Sequence, residues 1–390
     1  MTKRSNFIKG VAAGKLMSGR IYGMYSRDHL NSLSLEKKIG QLFFIGVPGT
    51  ELDEQTKSLL SEVSPGGVCL FARNIREAEQ VRNLLDNITS FLPIQPFLSI
   101  DQEGGLVDRL RRIMTPMIAA NKLRTADDAA RLGRIISETL LLLGFNMDFA
   151  PVVDVVDEVR AKYSNGLHSR AFGHEKEQVV EFATAFLDSM QDNGIIGCLK
   201  HFPGLGAAQT DSHEDLPVVN ISEEELSSVD LYPYKKMLTS AKSVMIAHAS
   251  FPKSRLQATD KHGKLLPSSL SRNFVTELLR DELQFNGLVI TDDLEMGAIV
   301  KNYGVGDACK MAIISGVDML AICADKKSIV EGFRAVLDAA KSGEISTERI
   351  DQSLERIAKL KSHLSSASQF DKAKLISLSA AITELNQNLS

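Results

Sequence analysis

Residues 195–204 read Ile-Ile-Gly-Cys-Leu-Lys-His-Phe-Pro-Gly, an apolar run that ends in two basic side chains and a Pro-Gly turn. The apolar half is short and uncharged, which is typical of a buried strand. Lys200 and His201 then begin the loop that follows it. Asp211 and His213 come soon after, and an acid so close to a histidine can orient the ring and stabilise its protonated form. A buried strand that ends in such a loop is how an α/β barrel positions its catalytic residues.

Other apolar, β-rich segments recur along the chain, and amphipathic helical patterns separate them. Together with Ile195–Leu199, the predicted strands are Ile39–Val47, Gly67–Phe71, Phe97–Ile100, Asn146–Val153, Ser243–Ala247, Gly287–Thr291 and Val317–Cys323. Helices are indicated at Ala126–Leu143, Glu175–Met190, Phe274–Leu283, Ile329–Ala339, Thr347–His363 and Leu375–Leu389. Strands that alternate with helices indicate a parallel sheet, and eight such units predict a single (β/α)8 TIM-type barrel. A doubly wound open sheet is the alternative.

The barrel prediction divides the chain into three parts. Residues 31–365 form the (β/α)8 domain, and residues 366–390 form a C-terminal helical extension that follows a Ser-rich break. Residues 1–30 carry the pair Lys3-Arg4 near their start and resemble the beginning of a twin-arginine export signal. Lys15 and Arg20 interrupt the apolar run that such a signal needs, so a basic N-terminal arm or helix is the favoured interpretation.

The composition argues against several classes of protein. The net charge is −4 at pH 7, so a nucleic-acid-binding surface is not expected. The four cysteines are far apart without metal-ligand spacing, which indicates reduced core residues of a cytoplasmic protein. No apolar run is long enough to span a membrane. Neither a phosphate loop, a dinucleotide fingerprint nor a zinc-binding His-Glu-x-x-His helix occurs, so we expect no cofactor and no metal.

Charged or polar residues follow five of the predicted strands. They are Asp101 with Glu103, Asp154, Lys200 with His201, His248, and Asp292 with Asp293. Because active sites of α/β barrels lie at the carboxyl ends of the strands, we expect these side chains to meet. A single acid after a strand is more often a helix cap or turn former, and for Asp293 and Glu295 we favour a cap on the helix after the seventh strand over catalysis. For Asp154 and His248, structural and functional roles are equally open.

In this order, the motifs resemble those of glycoside hydrolase family 3, and more narrowly its bacterial β-N-acetylhexosaminidases of peptidoglycan recycling. The resemblance covers about Leu35 to His363, and its centre is Lys200–Gly204 with Asp211–His213. The other matching motifs are Gln41–Phe43, Asp101–Gly105, Phe149–Asp154, Arg170–Gly173, Met245–His248 and Ile290–Met296.

The resemblance implies a role for each matching residue. Asp292 corresponds to the catalytic nucleophile, and His213, oriented by Asp211, corresponds to the acid/base. The residues that correspond to binders of the N-acetylglucosamine hydroxyls are Asp101, Arg109, Arg170, Lys200 and His201. The implied reaction removes a terminal β-linked N-acetylglucosamine from peptidoglycan fragments, with retention of configuration and a covalent glycosyl-enzyme intermediate. A small carbohydrate substrate is the implied partner.

Departures from the family pattern keep other functions open. Leu106 and Leu205 stand where arginine and histidine are usual, and Ala207-Ala208 replaces an acid and a threonine. A phosphorylase or a related β-glycosidase is the alternative enzyme, because a histidine base repels phosphate less than a carboxylate does. A catalytically decayed sugar-binding barrel is the non-enzymatic alternative, and the intact Asp211, His213 and Asp292 oppose it.

Overall fold

The computed structural model describes residues 32–164, 166–208, 215–364 and 367–389, and its main sheet contains eight parallel strands. They are β1 Phe43–Gly46, β2 Gly67–Leu70, β3 Phe97–Ile100, β4 Met147–Asp148, β5 Cys198–Phe202, β6 Ser243–Ile246, β7 Leu288–Asp293 and β8 Met319–Ile322. The first strand pairs with the last, and parallel bridges from Met147 to Ile196 and from Val152 to Lys200 join β4 to β5. The sheet therefore closes into the predicted (β/α)8 barrel, and the open-sheet alternative is wrong.

Helices pack around this barrel. They are α1 Leu35–Gly40, α2 Glu54–Val63, α3 Ala78–Phe91, α4 Ala126–Leu143, α5 Lys176–Asp192, α6 Tyr232–Met237, the π-helix Asn273–Glu282, α7 Val305–Ser315, α8 Lys326–Ser342, α9 Thr347–Lys361 and α10 Lys372–Leu389. Thr125 precedes α4 as its N-cap residue and forms a capping box, in which its side chain and that of Asp128 each accept the backbone N–H of the other residue. None of the helices in the described part of the chain combines the length and apolar character that a membrane crossing requires.

Three sequence predictions need correction. Ile39 belongs to α1 and not to the first strand, because the chain turns at Gln41 before β1 begins. The segment predicted as an α-helix from Phe274 is a π-helix, in which Leu283 N–H bonds to Leu278 O. Lys200 and His201 lie within β5 and not in the loop after it. Both side chains can be buried there because Asp101 pairs with the ammonium group of Lys200 and Asp154 pairs with the ring of His201. The predicted N-terminal arm, residues 1–30, lies outside the described residues.

Aromatic packing fills the barrel near β1. The Phe44 ring stacks on Phe97 with centroids 5.8 Å apart and meets the edge of Phe149 at 5.4 Å. A Cβ atom on Gly67 would lie only 2.2 Å from the Phe44 ring, so glycine is the residue that permits this close approach. These contacts pack the interior of the barrel beneath the carboxyl ends of its strands.

A buried carboxylate, Asp318, lies at the amino-terminal end of β8, which is the end of the barrel opposite the carboxyl ends of the strands. Asp318 has no solvent exposure, and it accepts hydrogen bonds from Arg356 at 2.9 Å and Ser353 at 3.0 Å. Arg280 and Arg349 also pair with it. Burial lowers the pKa of Arg280 to about 10 although Asp318 opposes this shift. The carboxylate therefore compensates several arginines that would otherwise be poorly solvated.

We expect Asp318→Ala to lower the free energy of unfolding by about 3–5 kcal/mol, because it leaves buried arginines without their counter-charge. Glu62→Ala is the matched control, since Glu62 pairs with Arg334 on the surface at 2.8 Å. An exposed ion pair contributes at most about 1 kcal/mol. Urea unfolding followed by circular dichroism measures both variants. Equal losses in the two variants would contradict a structural role for the Asp318 cluster.

Candidate active site

A cavity of about 410 Å³ lies at the carboxyl ends of the strands. The predicted site residues that line it are Asp101, Arg109, Arg170, Lys200, His201 and Asp292. They come from the ends of four strands, β3, β4, β5 and β7, or from the segments that follow them, and the barrel brings them together. The remaining two predicted residues, Asp211 and His213, lie outside the described residues.

A chain of alternating charges forms the floor of this cavity. Lys200 Nζ lies 2.7 Å from Asp101 Oδ1 and 2.6 Å from Glu103 Oε1. Arg170 binds the same Glu103 through two N–H groups, each at 2.8 Å. Such bidentate pairing fixes the plane of the guanidinium. The floor therefore holds two cations and two carboxylates in a fixed geometry, with Glu103 at the centre.

The charges of this network stabilise one another. Burial alone would raise the pKa of Glu103, but Arg170 and Lys200 hold it well below its usual range. Burial lowers the pKa of Lys200, but Asp101 and Glu103 raise it above its ordinary value. Both groups are thus ionised at neutral pH. The place of Glu103, two residues after Asp101 at the end of β3, predicted that it would lie among the strand-end residues, but no binding or catalytic role was predicted for it.

A hairpin after β3 positions this part of the site. Residues Gln102–Gly104 pair with Val107–Asp108, and the turn uses φ angles of 91° at Gly104 and 57° at Gly105 that glycine adopts without strain. The Gln102 Oε1 atom accepts the backbone N–H of Arg109 at 3.0 Å. Arg109 Nε is buried and has no hydrogen-bond partner among the described residues. The Arg109 side chain also lines the cavity.

Asp154 forms hydrogen bonds that position His201 and the loop after β5. Asp154 Oδ2 lies 2.8 Å from His201 Nδ1, and Oδ1 accepts the backbone N–H of Leu205 at 2.6 Å. Asp154 is only 1% exposed, so it cannot readily contact a substrate itself. Its geometry favours a positioning role, in which it orients the imidazole and fixes the start of the loop after β5.

Asp292 and Asp293 are adjacent at the end of β7, but they have different environments. Burial raises the pKa of Asp292, but the nearby His201 and His248 outweigh this effect and lower it below its ordinary value. Burial raises the pKa of Asp293 to about 7. The Asp292 Oδ1 atom also accepts the Asp293 N–H at 2.9 Å. Of the two, Asp292 is the carboxylate that is fully ionised at neutral pH.

His248 is a buried residue that supports β7. Its Nε2 atom donates to the backbone oxygen of Asp293 at 3.1 Å, and its Nδ1 atom lies 2.7 Å from Ser269 Oγ. Burial lowers the pKa of His248, although the nearby Asp292 opposes this shift. These contacts favour a structural role for His248, although it also influences the charge of Asp292.

The predicted capping roles of Asp293 and Glu295 need correction. The helix after β7 is Gly297–Val300. Its N-cap residue is Met296, and no side chain forms a capping hydrogen bond. Asp293 Oδ1 instead accepts the N–H of Glu295 at 3.0 Å. Glu295 accepts the N–H of Asp325 at 2.9 Å and thus connects the loops after β7 and β8. Both acids stabilise turns after the strands, because the helix starts too far along the chain for either of them to cap it.

The sequence of this chain is similar to those of known proteins. The sequence profile of the "Glycosyl hydrolase family 3 N terminal domain" matches residues 34–360. A β-hexosaminidase of Tolumonas auensis is 32% identical over 305 residues, which cover 76% of this chain and 86% of the relative. A β-hexosaminidase of Pseudomonas aeruginosa is 34% identical over 292 residues, which cover 73% and 82%.

Solved structures share the fold. A glycoside hydrolase family 3 β-N-acetylglucosaminidase of a Paenibacillus species matches with a TM-score of 0.79 and 33% identity, over 91% of this chain and 69% of the other. A family 3 glycosyl hydrolase of Mycobacterium smegmatis matches with a TM-score of 0.76 and 30% identity, over 85% and 98%. The similarity therefore extends over nearly the whole of the described barrel.

Proposed function

The chain belongs to glycosyl hydrolase family 3, and we propose that this glycoside hydrolase is a retaining, exo-acting β-N-acetylglucosaminidase. In this proposal its substrates are peptidoglycan fragments with a terminal β-linked N-acetylglucosamine. The observation that carries the proposal is an ionised Asp292 at the end of β7, beside a floor of paired charges and at the wall of one cavity. Glycosidases of this kind need a carboxylate on one face of the anomeric carbon.

Asp101, Arg109, Arg170, Lys200 and His201 hold the sugar in this proposal. They offer carboxylate oxygens and N–H groups at the cavity wall, which suit the alternating donors and acceptors of sugar hydroxyls. Lys200 pairs with Asp101, and Glu103 pairs with both Lys200 and Arg170, so these groups are held in place before the substrate arrives. Such preorganisation places the anomeric carbon against Asp292 without further rearrangement of the floor.

The reaction then proceeds in two displacements. Asp292 attacks the anomeric carbon, the bond to the leaving oxygen breaks, and His213 gives its proton to that oxygen. The product of this step is a glycosyl ester on Asp292. His213 next removes a proton from water, which attacks the same carbon and releases Asp292. A histidine suits both steps because its ordinary pKa, about 6.5, lies near neutral pH.

A cytoplasmic location and a role in peptidoglycan recycling belong to the same proposal. The support for the location is that Cys69, Cys198, Cys309 and Cys323 are all buried and free of disulfides. Thiols persist in this state in reducing compartments. The support for the substrate is the match of residues 34–360 to the family and of the site motifs to its bacterial hexosaminidases.

The direct test is hydrolysis of 4-nitrophenyl N-acetyl-β-glucosaminide, with and without inorganic phosphate. We expect nitrophenol release that does not depend on phosphate, and the β-anomer of free N-acetylglucosamine as the first product seen by proton NMR. Formation of the sugar 1-phosphate would identify a phosphorylase instead. The α-anomer as first product would contradict retention, and a lack of turnover with this activated substrate would favour the decayed sugar-binding barrel.

A further inference from the structure

A buried arginine in the segment after β4 joins two parts of the chain that are remote in sequence. Arg160 is 3% exposed and is not part of the cavity wall. Its guanidinium binds Asp230 through two N–H groups, Nη1 at 2.9 Å and Nη2 at 3.0 Å. Nη1 also donates to the Val155 oxygen at 2.9 Å, and Nη2 donates to Glu225 Oε1 at 2.7 Å. These bonds fix both the plane and the position of the guanidinium.

The backbone at the start of the loop after β5 packs directly on this arginine and its partner. A Cβ atom on Gly204 would lie 2.6 Å from Asp230 Cβ, and one on Gly206 would lie 3.1 Å from Arg160 Nη1. Neither position therefore has room for a side chain. Leu205, between the two glycines, lines the cavity. The Arg160–Asp230 pair thus supports the point at which the chain leaves β5 and enters the loop.

Arg160 contacts the chain on both sides of the predicted acid/base. In the sequence, His213 lies between Gly206, which packs on Arg160, and Glu225, which pairs with it. The side chain of Asp230 has no solvent exposure, and Arg160 is its ion-pair partner among the described residues. Without Arg160, Asp230 would be a buried, unpaired carboxylate, which must take up a proton or move toward water. Either change removes the pairing that holds this segment.

We propose that Arg160 is a positioning residue for proton transfer, which holds both ends of the segment that carries His213. The inference rests on the proposed function, in which His213 gives its proton to the leaving oxygen. A general acid must lie within about 2.6–3.2 Å of the atom that it protonates, so a small displacement is costly. Asp292 lies at the end of β7 and accepts the N–H of Asp293, so loss of Arg160 should leave the nucleophile in place.

Arg160→Met tests this inference with two leaving groups. For methyl and 4-nitrophenyl N-acetyl-β-glucosaminides alike, kcat/KM reports the step in which the leaving group departs. Methanol needs the proton, whereas nitrophenol hardly does. The ratio of kcat/KM for the methyl substrate to that for the 4-nitrophenyl substrate should fall about tenfold or more, which is part of the ~10²–10⁴-fold that a general acid supplies. Arg160→Lys keeps the charge without the fork of N–H groups, so it should restore part of the ratio.

Glu225→Gln weakens the same cluster without removing a buried group. Glu225 has a half-exposed side chain, 43%, and Glu62, which is 34% exposed and pairs with Arg334, provides the matched control Glu62→Gln. Glu225→Gln should lower the ratio by a smaller factor than Arg160→Met, and Glu62→Gln should leave it unchanged. Asp318→Ala controls for stability, because it breaks a buried cluster of arginines at the other end of the barrel. It should also leave the ratio unchanged.

Thermal unfolding shows which variants are folded. An unchanged ratio in a folded Arg160→Met would overturn the positioning role while the proposed function stands. If Arg160→Met does not fold, the ratio in Glu225→Gln decides in the same way. An equal fall of the ratio in Asp318→Ala would show that it follows stability, and this too would overturn the inference. If the unaltered protein hydrolysed neither glycoside, the proposed function would be overturned, and this inference with it.

Discussion

Asp292→Asn should lower kcat for 4-nitrophenyl N-acetyl-β-glucosaminide by several orders of magnitude while the barrel stays folded. The amide has the shape of the carboxylate but cannot form the glycosyl ester, so the first displacement loses its nucleophile. The amide oxygen can still accept the Asp293 N–H, which Asp292 Oδ1 accepts at 2.9 Å. Steady-state kinetics gives the loss of kcat, and thermal unfolding shows that it is not a loss of fold.

Asp293→Asn is the control for this prediction. Asp293 Oδ1 accepts the N–H of Glu295 at 3.0 Å, and an asparagine oxygen can make the same bond. Burial raises the pKa of Asp293 to about 7, so a large fraction of it is already neutral at neutral pH. We therefore expect this variant to keep most of its activity. A severe loss in Asp293→Asn together with an active Asp292→Asn would move the nucleophile to Asp293.

Azide gives a second readout of the same assignment. Asp292→Ala leaves space for a small anion on the face of the sugar that the carboxylate attacks. Azide should therefore restore turnover of an activated substrate and give the α-glycosyl azide, because one displacement inverts the anomeric carbon. Formation of the β-azide, or no effect of azide, would argue against Asp292 as the group on that face.

The sequence was sufficient for the fold because the strand signals are local. Short apolar runs such as Phe97–Ile100 are uncharged, and the helices between them have their own periodicity and caps, as at Thr125. The end of β5 was misjudged for a non-local reason. Lys200 and His201 look like loop residues in sequence, and only their pairing with distant carboxylates allows them to lie inside a barrel.

The candidate site was predicted in part for a similar reason. Strand order places Asp101, Lys200 and Asp292 at one end of a barrel, so their meeting in one cavity followed from the topology. The specific pairs did not follow, because each joins loops that are remote in sequence. Arg170 binds Glu103, 67 residues earlier, and no local pattern distinguishes that carboxylate from other acids. The positioning role of Asp154 likewise depends on a histidine 47 residues later.

His213→Ala should slow a substrate with a poor leaving group far more than one with a good leaving group. An alkyl glycoside or natural disaccharide needs a proton on the departing oxygen, and loss of a general acid costs about 10²–10⁴-fold in rate. A 4-nitrophenyl leaving group needs little protonation, so its cleavage step should be nearly preserved. Pre-steady-state release of nitrophenol measures this step separately from the turnover that follows.

In His213→Ala, the second displacement should be slow whether the first leaving group was good or poor. Water needs the same histidine as a base whatever the first leaving group was, so the ester on Asp292 should accumulate in His213→Ala with the activated substrate. Mass spectrometry of the rapidly quenched enzyme would detect it as an added N-acetylglucosaminyl group. Asp211→Ala should show a milder form of both effects, because Asp211 only orients and stabilises the imidazole. If both variants slowed good and poor leaving groups equally, without an ester, the proton donor would have to be another residue.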